Sequence, residues 1–120
     1  MAHILIVDDS PTDAYLVKHI LESQGYQTSE ASNGEEGIQK AKDIKPNLII
    51  MDVVMPGLDG FKATRKITKS PETKSIPVVI VSSKNMESDI AWAKMQGAKA
   101  FLIKPVKREE LLTTVKNLIG

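Results

Sequence analysis

The 120-residue chain contains no cysteine. That excludes disulfides and thiolate metal sites, and it fits a reducing compartment. Aromatic residues are scarce: two Phe, two Tyr and one Trp, a poor supply for stacking against a flavin. An excess of one charge is also missing. Sixteen Lys and Arg against fifteen Asp and Glu leave a net charge of +1, so no strong field draws the chain to nucleic acid or an anionic membrane. No apolar run approaches the roughly 18 residues of a membrane helix. The N-terminal MAHILIVDDS is too short in its apolar part for a signal peptide and lacks a cleavage pattern. Neither GxxxxGK nor GxGxxG follows the first apolar run, which argues against a nucleotide-binding module. Linkers, low-complexity tracts and internal repeats are absent too. One cytoplasmic domain over residues 1–120, with one hydrophobic core, is the expectation.

What is present is a regular alternation. Four short apolar runs recur: Ile4–Val7, Leu48–Met51, Val78–Val81 and Phe101–Ile103. Runs of this length, rich in Ile and Val and without polar alternation, suit strands buried on both faces of a parallel sheet. A fifth candidate, Gln27–Ala31, is polar and is placed at a sheet edge.

Helical patterns fill the gaps. Ser10, Pro11 and Asp13 read as an N-cap, a first-turn proline and a capping-box acid. Leu16, Val17, Ile20 and Leu21 follow as a stripe that Gly25 closes. A second helix starts at Asn33–Glu36, turns Ile38, Ala41 and Ile44 inward and stops before Pro46. Phe61, Thr64 and Ile67 mark a third, Ile90 to Met95 a fourth, and Leu111 to Ile119 the last. Five β-α repeats predict an α/β doubly wound parallel sheet with right-handed crossovers. With the polar second strand at an edge, the strand order is 2-1-3-4-5, the flavodoxin-like arrangement.

The polar residues stand where the apolar runs end. Asp8 and Asp9 follow the first run, Asp52 the second, Ser82 and Ser83 the third, and Lys104-Pro105 the fourth. In a parallel sheet these ends lie on one side, where α/β folds bind ligands. Three carboxylates gathered there would repel, each like pair by on the order of 4 kcal/mol at about 4 Å and an effective dielectric near 20. A divalent cation relieves this, and hard oxygen ligands favour Mg²⁺. A lysine and a hydroxyl beside such an ion suit a phosphoryl group. Asp52, at the centre, is then a nucleophile able to form an acyl phosphate.

Each residue also has a plain structural reading. Asp8 or Asp9 serves equally well as a cap for the turn into the first helix. Ser82 and Ser83 pass for loop hydroxyls and Lys104 for a solvated edge lysine. Asp52 is harder to explain away, since an acid ending a buried strand has few structural uses.

Asp8-Asp9, Asp52, Met55-Pro56, Asp59-Gly60, Ser82 and Lys104-Pro105 together resemble the receiver domain of bacterial two-component response regulators, in order and spacing over the whole chain. The resemblance implies that Asp52 is the phosphoacceptor, charged from a histidine kinase. It implies Mg²⁺ held by Asp9, Asp52 and the backbone carbonyl of Val54, with Asp8 acting mostly through water. Ser82 becomes the switch hydroxyl and Lys104 the phosphate-binding lysine, with a cis bond to Pro105. Gly60 begins the third helix. Phe101 occupies the aromatic switch position as Phe, without a phenol hydrogen bond. Val54 and Lys84 flank the path of attacking water. A downstream protein effector would read the surface of the fourth helix, fifth strand and fifth helix. The chain is expected to be a monomer or a weak phosphorylation-dependent dimer, with no membrane insertion and no direct contact with nucleic acid. The phrases VDDSPTD, MDVVMPGLDGF and AWAKMQGAKAFLIKPV are similar to stand-alone receivers of type IV pilus twitching-motility systems.

Two other functions compete. An aspartyl-phosphate hydrolase also uses a strand-end aspartate, Mg²⁺ and a lysine, but carries a second acid two residues on, where this chain has Val54. A receiver cut from a longer DNA-binding regulator is the other; Met1 at the start and Gly120 after a complete helix favour a stand-alone protein. Trp92 is placed in core packing ahead of a partner-binding role. His3 and His19 have no second ligand nearby in sequence and carry no site.

Overall fold

The computed structural model describes residues 2–120. Five strands and five helices alternate: β1 (His3–Val7), α1 (Pro11–Glu22), β2 (Gln27–Ala31), α2 (Gly34–Ile44), β3 (Leu48–Asp52), α3 (Gly60–Lys69), β4 (Val78–Ser82), α4 (Glu87–Met95), β5 (Ala100–Ile103) and α5 (Arg108–Ile119). All strand pairs are parallel, and the order is β2-β1-β3-β4-β5. This is the flavodoxin-like arrangement the repeats predict.

The two-residue period of a strand sorts the core into two layers. Ile4, Ile6, Leu48, Ile50, Val79 and Val81 pack with α1 and α5. Leu5, Val7, Ile49, Met51, Val78 and Ile80 pack with α2, α3 and α4. The three central strands therefore show no polar alternation, because both their faces are covered.

Three expectations are corrected. β5 is an edge strand, so its run is not buried on both faces: Leu102 is buried, Phe101 only partly, and Ile103 is exposed. In α1 the inward stripe is Ala14, Val17, Ile20 and Leu21, while Leu16 is exposed; Ile44, the last residue of α2, is exposed as well. Trp92 is not in the core. It is 49% exposed, and of α4 only Ala93 is buried. Trp92 instead stands beside Phe61 and Arg65 of α3 in an open groove. Trp92→Ala should therefore cost less than about 1 kcal/mol in chemical denaturation, against the 3–5 expected of a core Trp.

Candidate functional site

Strand register carries the site. β1 and β3 pair Val7 with Met51, so Asp8 follows level with Asp52. Asp52 in turn pairs with Val81 of β4, and Ser82 pairs with Ile103 just before Lys104. Alternation then decides the face. Asp8, Asp52 and Lys104 continue the rows of Ile6, Ile50 and Leu102, which face α1 and α5. Ser82 and Phe101 belong to the opposite rows, and Phe101 packs against the layer shared with α3 and α4.

The carboxylates and the lysine meet as this predicts. Lys104 Nζ lies 3.0 Å from Asp52 Oδ1 and 3.3 Å from Asp8 Oδ2. Oxygens of Asp8, Asp9 and Asp52 all lie within 4.8 Å of one another, with Asp9 the exposed member. Such a set of hard oxygen donors fits a small divalent cation such as Mg²⁺, whose ligand set normally includes one or two carboxylates.

Asp8 divides its oxygens. Oδ1 accepts from the backbone N–H of Ser10 at 2.9 Å, the turn-capping role the sequence also allowed, while Oδ2 meets Lys104. This corrects the capping box. Ser10 Oγ does accept from Asp13 N at 3.3 Å, but Ser10 N donates to Asp8 and not to the carboxylate of Asp13. The carboxylate of Asp13 is thereby free to reach Lys104, and does so at 2.8 Å. Sequence reasoning missed Asp13 as a site residue because its position three residues after Ser10 already had a local explanation.

The electrostatics follow from burial. Asp52 is 5% exposed and tops a small cavity of about 40 Å³ floored by Ile6, Ile50 and Val81. Burial pushes its carboxyl up to about 6; the ammonium of Lys104 pulls against this and the charge of Asp8 adds to it. For Lys104, burial pulls the ammonium down. Its bonds to Asp13 and Asp52, with the charge of Asp8, outweigh that and raise it above the usual lysine range. Lys104 is therefore a fixed positive charge at any neutral pH.

The remaining residues take their places around this centre. Ser82 is fully buried, and its Oγ accepts from Lys84 N at 3.0 Å. Its carbonyl accepts from Lys104 N at 2.9 Å, which ties β4 to the start of the Lys104–Pro105 segment. The Lys104–Pro105 bond is cis, as the resemblance implied. Val54 presents an exposed side chain. Ser83 and Lys84 are exposed as well. Gly60 begins α3, and Asp59 caps it by accepting from Lys62 N at 2.9 Å.

Comparison with known proteins agrees with this geometry. Residues 4–116 match the response regulator receiver domain. Protein PilH of Pseudomonas aeruginosa is 50% identical over 120 residues, covering 100% of this chain and 99% of PilH. A putative response regulator from Chloroflexus aurantiacus superposes with a TM-score of 0.94 at 32% identity, over 98% of this chain and 97% of that one. The receiver domain of sensor histidine kinase PA1611 from Pseudomonas aeruginosa, which has a magnesium ion coordinated in its active site cleft, gives 0.91 at 28% identity, over 99% and 98% of the two chains. The register that sets Asp8 and Asp52 side by side, the lysine that bridges them and these matches have one explanation: the chain belongs to the response regulator receiver domain family.

Proposed function

We propose that residues 1–120 form one receiver domain in which Asp52 accepts a phosphoryl group from a histidine kinase and thereby switches the surface of α4, β5 and α5. The single observation carrying this is the Lys104 ammonium 3.0 Å from a buried Asp52 carboxylate. One oxygen of Asp52 attacks phosphorus as the P–N bond of the donor phosphohistidine breaks, and the leaving imidazole keeps that electron pair and takes up a proton. Asp8, Asp9 and Asp52, with the carbonyl of Val54, would hold Mg²⁺. When bound, the ion offsets the negative charge of the acids and the transferring phosphoryl group. Lys104 holds a phosphoryl oxygen.

The added charge, roughly −1.5 to −2, needs new donors. Ser82 is one residue beyond the β4 partner of Asp52, and its hydroxyl is the nearest candidate on that strand. Turning it toward the new group breaks its acceptance from Lys84 N, which frees the segment after β4 to move inward. Phe101, partly buried on the same face as Ser82, then moves into the space vacated. The effector would be a protein that reads this altered face.

The 50% identity with PilH over the full alignment supports a role in type IV pilus motility signalling. Incubation with acetyl phosphate and Mg²⁺ should attach one phosphoryl group, and reductive trapping followed by peptide mapping should find it on Asp52. An adduct on another residue, or none that depends on Mg²⁺, would remove the assignment.

A further inference from the structure

Lys104 has three N–H donors and no more. Three carboxylates surround it: Asp13 at 2.8 Å, Asp52 at 3.0 Å and Asp8 at 3.3 Å. Two of them have other work in the reading of Asp52 as acceptor, on which this inference rests. Asp52 becomes the acyl phosphate, and Asp8 belongs to the acidic cluster of the metal site. Asp13 is neither nucleophile nor part of that cluster. It sits in the first turn of α1, its side chain is 45% exposed, and its contact with Lys104 is the shortest of the three.

We propose that Asp13 is a positioning residue: it holds Lys104 toward α1 and competes with the incoming phosphoryl oxygens for the ammonium group, slowing phosphoryl uptake at Asp52. During transfer the O–P bond to Asp52 forms as the donor bond to phosphorus breaks. Lys104 can engage a phosphoryl oxygen only by giving up one of its present acceptors. Asp8 and Asp52 turn to the metal site and the phosphoryl group, so the bond that still holds Lys104 back is the one to Asp13, whose half-exposed carboxylate must be given over to water for the ammonium to swing free. Charge-assisted bonds are the strong ones, so holding Lys104 away from the reacting group is expected to matter for rate.

Asp13→Asn tests this. The substitution keeps the shape of the side chain and a residue type that the start of a helix tolerates. Uptake from acetyl phosphate with Mg²⁺, followed as phosphoprotein against time, should accelerate about tenfold. Affinity for beryllium fluoride with Mg²⁺, a phosphoryl mimic measured by calorimetry, should rise by a similar factor. A direct contact predicts that the gain persists from about 0.05 M to about 0.5 M salt, whereas a general field effect would be screened away. The proposal falls if the folded Asn variant is as slow as the parent or slower, if beryllium fluoride binds no more tightly, or if the gain vanishes at high salt. Failure of the Asp52 reading looks different: the parent would then take up no phosphoryl group, or would carry it elsewhere.

Discussion

Asp52→Asn should yield a protein that takes up no phosphoryl group and yet, without metal, is more stable than its parent above about pH 6. The first half follows from chemistry, since an amide oxygen is no substitute for the carboxylate nucleophile. The second follows from linkage. The folded protein holds the Asp52 proton up to about pH 6, against a usual value of 3.8. Stability from that proton is complete below the unfolded value and is lost as the pH rises through the folded one. By neutral pH the parent has lost roughly 3 kcal/mol that the Asn variant, with nothing to ionise, never loses. Lys104 moderates the gain only in part, since it keeps Asp8 and Asp13 after the substitution. Urea melts in a chelator at pH 4 and pH 7.5 should show the difference between the two proteins widening with pH. Saturating Mg²⁺ should narrow it at pH 7.5, because an ion that binds the native parent stabilises it by mass action. A constant difference across this range would mean that Asp52 is not strained by burial.

That combination, a buried acid whose charge opposes folding, is legible in the sequence. Asp52 follows LIIM, and a carboxylate ending such a run is costly without a partner. The partners were legible as well, because each follows its own apolar run and parallel register brings run ends together. What the sequence hid was contact made across a gap. Asp13 lies 91 residues from Lys104, and its neighbour Ser10 offered a complete local account of it. Only the competing bond that Ser10 N donates to Asp8 shows that account to be half right. Trp92 misled for a related reason. Hydrophobicity argues for burial, but α4 buries only Ala93, so Trp92 on its flank stays half exposed. The edge position of β5 was implicit in the predicted strand order, yet the apolar run FLI reads like a central strand. Burial of an edge strand depends on what covers it, which local wording does not contain.

Gly60→Ala should be the most damaging single-methyl change near the site. A Cβ at Gly60 would lie 2.0 Å from the carbonyl oxygen of Asp52 and 2.8 Å from Val53 Cα. Both are backbone atoms, so no side chain can swing aside to make room. The close approach has a cause: Gly60 N donates to Val53 O at 2.9 Å, closing the loop that carries Val54 and Met55 back against the end of β3. The start of α3 is thus seated on the backbone of Asp52 itself. Relieving the overlap must push α3 outward or shift Asp52, at a cost on the order of 3 kcal/mol. In a domain of this size that lowers the melting temperature by about 10 °C. Gly25→Ala makes the useful contrast. Its φ of +86° is strained for alanine, but nothing lies within 4 Å of the added methyl, so only the left-handed backbone cost of about 1–2 kcal/mol applies. The two variants should separate further in function. Displacing Asp52 by even a fraction of an ångström from Lys104 spoils the aligned geometry, and phosphoryl uptake by the Gly60 variant should fall at least about tenfold at temperatures where it is fully folded. The Gly25 variant, altered in the turn between α1 and β2 at the opposite ends of the strands, should take up phosphate at the parental rate. Equal uptake by both would show that the seat of α3 on Asp52 serves stability alone.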